Sequence, residues 1–486
     1  MNMAQEQRSS HHFLWLGLLL FVVFSIAFLL PILPNDFWWY LRLGGDILMN
    51  GEIPSVDTYT STIYGTPQVY PMWLSAIFLF WIHEFGGLPL IGLIRGIMIG
   101  AFFVVLWLTC ARQGLPGWLI FILSFLNILA GANNWAVRPQ MFVYPLFGIT
   151  LWVVDGVLHR LDQCKESYRF RLSRWEMALI PISALWANLH GSVIILFFLL
   201  VPMLFENRLW KKYLLIIGVC FLATLINPRG ILLWSDTFSL LNSGGNEFSR
   251  EWAPPTNSHW QMYIFFAWLL AMIPLVGLSR TRYHVPQWFW LLGFGWMALS
   301  GTRYVIWFLA ILLVLSAKAF GQWKIIPFNP TEIRKDRFQL AMFFVLLILP
   351  LVFLPGIRQV WWDQAPPSLS ADTPVEAVDW LKKHPEIPRP LFNNYVFGSY
   401  LEYAIPDLPV WIDTRFYPFP KEIWQDYLSI SNAEPEWEQK LGSYGIASLI
   451  LDPNAQTMLV EELNRKGGWC KEYQDLTAVI YIKCQP

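Results

Sequence analysis

The stretch FLWLGLLLFVVFSIAFLLPILPNDFWWYLRLGGDILMNGEIP, residues 13–54, decides the fold. Its first half, Phe13 to Leu33, is apolar throughout and long enough for one helix to cross a ~30 Å hydrocarbon layer. Lipid offers no partner to a bare peptide N–H or C=O, so the run reads as a helix that satisfies its own backbone. A short polar start containing Arg8 precedes it, and no small-residue cleavage site precedes Pro34. It therefore reads as a retained anchor rather than a removed signal peptide. The second half turns amphipathic. Phe37, Tyr40, Leu41, Gly44, Ile47 and Leu48 recur at helical spacing, while Trp38, Trp39 and Arg42 suit headgroup depth, which predicts an interfacial helix. Asp36 stands at its first turn, at the membrane edge. As a cap, Asn35 or Asp36 would accept backbone N–H bonds worth about 1 kcal/mol. As a free carboxylate, Asp36 would be an acid presented at the bilayer surface.

Composition extends this reading to the whole chain. Of 486 residues, 55% are apolar and only 14% charged, against roughly 25% charged in soluble proteins. Lys plus Arg and Asp plus Glu both total 34, so the basic excess of a nucleic-acid binder is missing. Residues 357–486 carry 11 basic and 18 acidic side chains, while the preceding 356 residues hold 23 and 16. A polytopic α-helical membrane module, 1–356, followed by an acidic α/β domain, 357–486, accounts for that split. Further apolar blocks lie near 88–110, 115–134, 140–158, 177–189, 192–206, 213–227, 258–279, 286–300, 304–321 and 338–356.

Basic loops set the sides. Arg160, Lys165, Arg169, Arg171 and Arg174 cluster in 159–176; Arg208, Lys211 and Lys212, then Arg280 and Arg282, then Lys318, Lys324, Arg334, Lys335 and Arg337 follow. With these inside, the stretches around Arg138, His190, 228–257 and Gly301–Arg303 face outward, as does the C-terminal domain. Pro71–Phe85 would break the alternation if it spanned. It is read instead as a partly inserted helix in a long first external loop, 34–87. That gives about eleven spans, with the N-terminus cytoplasmic; twelve- and thirteen-span counts are the alternatives.

From 372 the pattern alternates helix and strand signals. Helices are expected from Thr373-Pro374, over Glu422–Leu428 and over Met458–Arg465, with short buried strands at Pro390–Asn393, Pro409–Asp413 and Ala447–Asp452. A hairpin of Cys470–Asp475 with Thr477–Lys483 closes the chain, so the sheet is mixed. Cys470 and Cys484 fall near its two ends and are expected to pair in an oxidising compartment. Cys110 and Cys164 fall at cytoplasmic ends of spans, and Cys220 within one. Asp413 and Arg415 stand where a parallel strand would end; they either contact an acceptor or form an ion pair that docks the domain on the membrane module.

An acidic residue just past the first span, then an amphipathic helix and a Gly51-x-Ile53-Pro54-x-x-Asp57 turn, resembles the first external loop of GT-C glycosyltransferases. That superfamily includes oligosaccharyltransferase catalytic subunits, protein O-mannosyltransferases and aminoarabinose transferases. Tyr70-Pro71-Met72-Trp73-Leu74 followed by Phe85-Gly86-Gly87 is similar to the His-Pro-Pro-Leu…Phe-Gly stretch of the mannosyltransferase-like members, with Tyr70 in place of the His. Asn393-Asn394-Tyr395…Gly398-Ser399-Tyr400-Leu401…Ile412-Asp413-Thr414-Arg415 resembles the external domain of glycosyltransferase-39-like bacterial membrane proteins.

The resemblance implies a multi-pass enzyme of the bacterial cytoplasmic membrane. It would move a sugar from a polyprenyl-phosphate-linked donor to a protein or glycan acceptor on the outer face, with membrane lipid as surroundings and no nucleic acid. Such transfer needs a carboxylate for the acceptor and cationic or hydrogen-bonding groups for the departing phosphate. Asp36 matches the first-loop acid; Asp57 and Glu251 are the other carboxylates, Asp57 also reading as a turn residue before Thr58. Arg138, Asn188, His190 and Arg303 are the candidates for the lipid phosphate. Each has a plainer reading: Arg138 as a snorkelling side chain, Asn188 and His190 as a hydrogen-bonded helix kink, Arg303 as a helix-end charge. Arg250 to Pro255 has the make-up of a lid, or simply packs. Trp361-Trp362-Asp363 lacks the Tyr-Gly that follows the oligosaccharyltransferase acceptor motif and reads as an interfacial anchor. Oligosaccharyltransferases hold a divalent metal partly through acids of the second external loop. Residues 131–143 contain none, so Mg or Mn is allowed by the resemblance and not supplied by this loop. The reading from another class is a non-catalytic GT-C-like structural or assembly subunit of a membrane or envelope complex. A coupled transporter, third, is disfavoured by the scarcity of charge in the spans.

Overall fold

The computed structural model describes residues 2–163, 172–279, 281–322 and 336–484. Cys164, Lys165, Arg169, Arg171, Arg280, Lys324, Arg334 and Lys335, on which part of the sidedness and cysteine reading rests, lie outside the described residues, as do the side chains of Arg8 and Arg337. The chain divides into two compact units. A helical unit comprises Met1–Leu30, Leu88–Leu233 and Arg250–Ala365; a mixed unit comprises Pro31–Gly87, Trp234–Ser249 and Pro366–Pro486.

Among the described residues six helices are long and apolar enough to cross a membrane: His12–Leu29, Trp73–Arg112, Gly117–Asn134, Gln140–Gln163, Trp260–Leu278 and Thr302–Gly321. Shorter apolar helices, Gly191–Phe205 and Phe338–Phe353, occupy two further blocks. The helix Val305–Gly321 is buried from Val305 to Ala319, as a run apolar on every face should be. Trp260–Leu278 instead turns Leu270, Ile273 and Leu278 outward. Water would penalise such a face, and lipid does not. Without a hydrophobic drive between helices in lipid, close packing relies on small residues. Gly96 is an instance, because a Cβ there would sit 2.6 Å from the Phe28 ring and 2.7 Å from the Phe24 ring.

Two buried lysines of this unit are paired. Lys212 and Glu176 form a 2.6 Å ion pair in which neither side chain is more than 1% exposed. Lys318 Nζ donates to Asp162 (3.1 Å) and Gln287 (2.9 Å). The helix Trp73–Arg112 is interrupted at Gly87, whose φ of 57° and ψ of −153° only glycine adopts readily. The helix beyond it, from Leu88, belongs to the helical unit, and the part before it to the mixed unit.

The mixed unit is built on a four-stranded sheet of order β1-β2-β4-β3, with β1 Leu391–Asn393, β2 Ser448–Leu451, β3 Trp469–Gln474 and β4 Val479–Lys483. β1 and β2 are parallel, and the other two pairings are antiparallel. Helices Val375–Lys383, Lys421–Ser431 and Thr457–Lys466 stand at the sites their sequence signals mark. The expected strand at Pro409–Asp413 is different. It forms only isolated bridges, Val410 with Thr60 and with Leu391. The Asn393 side chain takes the place of a ladder there: Oδ1 accepts from Trp411 N at 2.7 Å and Nδ2 donates to Ile412 O at 2.7 Å.

Residues 31–87 are joined to the C-terminal stretch by backbone bonds. Ile32 N donates to Ser368 O (2.9 Å) and Ser370 N to Ile32 O (2.8 Å); Val410 N donates to Tyr59 O (3.0 Å) and Ser61 N to Val410 O (2.7 Å). The third stretch, 234–249, adds Ser243 Oγ donating to Tyr417 O at 2.7 Å, and Phe248 stacked on Trp424. Cys470 and Cys484 are joined by a disulfide. The bridge closes a loop of 14 residues in sequence, for which the chain-entropy argument gives ~3 kcal/mol. Replacing both cysteines by serine should lower the stability of the mixed unit by ~2–3 kcal/mol in denaturant melts, with the hairpin still formed.

Candidate functional site

In the mixed unit the acids are gathered around one guanidinium. Arg415 is wholly buried; its Nη2 lies 2.9 Å from Asp57 Oδ2, and its Nε donates to Asp413 Oδ2 at 2.8 Å. Nη1 donates to the Tyr70 hydroxyl at 3.3 Å, and Glu402 Oε1 stands 3.8 Å from Nη2. The rings of Trp39 and Tyr59 flank the guanidinium at 5.8 and 5.3 Å. Burial works against the Arg415 cation, but Asp413 and Asp57 outweigh it and push its pKa further up. Asp57 also closes its own turn, Oδ1 accepting from Tyr59 N, Thr60 N and Thr60 Oγ1 at 2.8–3.1 Å. With no exposure and both oxygens engaged, Asp57 serves this fold as a turn and ion-pair residue. Asp413 and Arg415 form an ion pair that, with Asp57, joins the first loop to the C-terminal stretch within the mixed unit.

Asp36 is half-buried and directly precedes the helix Phe37–Asn50. Its side chain makes no capping hydrogen bond. Instead Oδ1 accepts from Thr414 Oγ1 at 2.7 Å, and that hydroxyl is 2.8 Å from Ser399 Oγ. Thr414 lies between Asp413 and Arg415, so the ion-pair cluster that anchors the first loop also positions the hydroxyl that holds Asp36.

In the helical unit four of the expected residues form a second group. Arg138 lies in the turn before the helix Gln140–Gln163, with Pro139 at the helix entrance fixing a compatible φ. Its Nη1 donates to Glu251 Oε1 at 2.5 Å. Burial pushes the Glu251 carboxyl up, but Arg138 and then Arg303 more than offset this and hold it below the usual carboxylate range. The Glu251 segment is fastened along the start of the helix Val305–Gly321. Arg303 N donates to Glu251 O at 3.1 Å, and Thr302 donates to Ala253 O through N (3.0 Å) and Oγ1 (3.1 Å). These bonds fasten Glu251 to Ala253, so that part of the expected lid is held in place. Arg303 stacks on Trp252, 4.3 Å from the ring centroid.

His190 ends the helix Leu179–Leu189, near enough to Arg303 to feel its charge. Its Nδ1 accepts from Ser192 N at 3.0 Å, which places the proton of the neutral ring on Nε2, as a donor. Asn188 is different. Its Nδ2 donates to Ala184 O (2.8 Å) and Ile226 O (2.7 Å), tethering two helix ends as the kink reading has it. Arg138, Arg303 and the imidazole N–H together make a cationic, donor-rich group beside the carboxylate of Glu251. Such a group can hold a phosphate. Tyr144, one turn into the helix Gln140–Gln163, donates to Asn134 O at 3.0 Å and packs on Trp307 at 5.3 Å, fixing the turn. Its only sequence signal was its i+6 place after Arg138, in the apolar first half of that helix. Among the described residues no three His, Cys, Asp or Glu side chains gather as a metal site, and the acids named here are committed to Arg415, Thr414 and Arg138.

No protein-family model matches the chain, and no curated protein matches it. Solved structures do. The archaeal oligosaccharyltransferase AglB from Archaeoglobus fulgidus, in complex with an inhibitory peptide and a dolichol-phosphate, aligns over 97% of this chain and 74% of its own, with a TM-score of 0.58 at 14% identity. The arabinofuranosyltransferase AftD from Mycobacteria aligns with a TM-score of 0.55 at 15% identity; this chain covers 40% of its length. ArnT from Cupriavidus metallidurans, bound to undecaprenyl phosphate, gives 0.50 at 14% identity over 96% of both chains. The chain therefore has the GT-C fold of membrane glycosyltransferases.

Two outcomes follow from the Arg415 cluster. Arg415→Gln strands two buried carboxylates and should cost ~3–5 kcal/mol in a denaturant melt of the full chain. Glu402 has its pKa raised well above the ordinary 4.5 by burial and then by the charge on Asp413. A raised folded value means its contribution is whole below about pH 4.5 and is lost as pH rises through the folded value. Melting profiles of Glu402→Gln should therefore lack the decline above pH 4.5 expected of the unaltered chain; parallel profiles would contradict the assignment.

Proposed function

We propose that this protein is a membrane glycosyltransferase that moves a sugar from a polyprenyl-phosphate-linked donor to an acceptor on the outer face of the bacterial cytoplasmic membrane. The observation that carries the reading is the group of Arg138, Arg303 and His190, two guanidiniums and an imidazole N–H beside the Glu251 carboxylate. In a transfer from a lipid phosphate, negative charge accumulates on the departing oxygen, and fixed cationic donors lower the barrier by binding that charge. Arg138 and Arg303 take the phosphate, with Glu251 holding Arg138 extended until it arrives. Asp36 takes the acceptor's proton or orients its hydroxyl, its carboxylate held by Thr414. AglB and ArnT, whose solved structures hold dolichol-phosphate and undecaprenyl phosphate, support the lipid class. Outward placement of the C-terminal domain rests on the basic loops, and the disulfide supports it.

The second reading, a non-catalytic subunit of a membrane or envelope complex, is favoured by the engagement of Asp36 with Thr414: a held carboxylate can be purely structural. Proteoliposomes separate the two. Arg138→Gln and Arg303→Gln should weaken retention of undecaprenyl phosphate by about tenfold each, the scale of one lost charge-assisted bond. Asp36→Asn should retain the lipid and stop release of free polyprenyl phosphate from a pool of lipid-linked sugars. If the unaltered protein binds the lipid but never turns it over, and Asp36→Asn behaves the same, the non-catalytic reading stands.

A further inference from the structure

Ser399 lies on the helix Tyr395–Ala404 of the mixed unit and is wholly buried. A buried helical serine commonly turns back to a carbonyl of its own helix. Ser399 instead reaches off the helix, its Oγ 2.8 Å from Thr414 Oγ1, and Thr414 Oγ1 donates to Asp36 Oδ1 at 2.7 Å. A threonine hydroxyl has a single proton, and a carboxylate oxygen only accepts. The Thr414 proton is spent on Asp36, so the proton between the two hydroxyls belongs to Ser399. The three groups therefore form a relay with one direction, from Ser399 through Thr414 to Asp36. The backbone is shaped for it. A Cβ at Gly398 would collide with Ile412 O and stand 2.8 Å from Asp413 Cα, so a glycine is what lets this helix lie against the segment that carries Thr414.

The neighbouring ion pairs fix where the Thr414 oxygen sits, but not where its proton points, because a hydroxyl proton rotates to suit its surroundings. Ser399 settles that direction. By donating to Thr414 it fills one side of the oxygen and leaves the proton aimed at Asp36. It also polarises the Thr414 O–H, which strengthens the bond to the carboxylate. We propose that Ser399 is a positioning residue for Asp36, acting only through the Thr414 hydroxyl. Its place in catalysis rests on the transfer reading. There the acceptor oxygen bonds to the anomeric carbon of the sugar, and the bond from that carbon to the lipid phosphate breaks with its electron pair going to the phosphate. The acceptor's proton passes to Asp36. A carboxylate held by a fixed donor meets that proton in one orientation, with no search among rotamers.

The test uses the full chain in proteoliposomes, with an extract of bacterial lipid-linked sugars as probe and released polyprenyl phosphate as the rate. Thr414→Val should lower the maximal rate about tenfold, the scale of one lost charge-assisted bond, and Ser399→Ala about threefold. The half-saturating lipid concentration should stay within about twofold in both. Thr414→Ser, which returns a hydroxyl, should recover most of the rate. Because Ser399 acts only through Thr414, Ser399→Ala combined with Thr414→Val should be no slower than Thr414→Val alone. A second readout needs no turnover: the infrared carboxylate band of Asp36, isolated by subtracting the spectrum of Asp36→Asn in each background. Ser399→Ala and Thr414→Val should each displace that band. An unmoved band in Ser399→Ala, or a double variant slowed by the product of the two single effects, overturns the relay. A displaced band in a protein that never turns the lipid over supports the relay and removes the transfer reading. Should Thr414→Val fail to fold, the band in Ser399→Ala decides alone, displaced in support and unmoved against.

Discussion

A guanidinium cannot be buried alone, and the arrangement of the mixed unit follows from how that demand is met at Arg415. Its two close carboxylates come from opposite ends of the sequence, Asp57 from the first loop and Asp413 from the C-terminal stretch. Apolar packing could have joined those stretches with similar strength, since a buried ion pair often contributes little net stability. What it supplies is uniqueness: any slip of one stretch past the other leaves a charge unmatched. The backbone bonds of Tyr59 and Ser61 with Val410 fix the same register from the other side.

Thr414 shares that register. Because its neighbours on both sides are locked in the cluster, its hydroxyl is aimed without needing rigidity of its own, and Asp36 is held by a residue 378 positions away. The helical unit reaches an analogous result by different means. There the backbone of Glu251 and Ala253 is fastened to Thr302 and Arg303, so the side chains of Glu251 and Arg303 leave adjacent points of a stiff frame. In both units the polar groups of interest are firmly supported, which is the condition for acting on a substrate without first having to reorganise.

Helices were legible where the apolar period or an unbroken apolar block exceeded what a core or a lipid layer requires, as in Phe13–Leu33 and the helix Phe37–Asn50. The segment Pro409–Asp413 misled because an apolar, β-branched run says nothing about a side chain elsewhere that replaces its ladder; Asn393 does so. Arg138, His190, Glu251 and Arg303 could be found because a charge or imidazole at the end of an apolar block has few uses. Thr414 and Glu402 could not: a threonine and a glutamate in a polar domain carry no local mark, and their roles arise only from contacts far apart in sequence. Arg95 carries a mark of the same kind, a lone cation inside Leu93-Ile94-Arg95-Gly96-Ile97.

The mixed unit draws on three separate stretches, 31–87, 234–249 and 366–486, and this bears on how the chain is made. Asp57 leaves the ribosome 358 residues before Arg415 does. At synthesis speeds of ~5–20 residues per second, its partner follows only ~20–70 s later. Throughout that interval the first loop is a half-built surface, with Tyr59, Ile63 and Tyr70 uncovered. The cell must shelter it, and a ribosome stalled anywhere before the final stretch leaves a product that is fully inserted yet unable to finish folding.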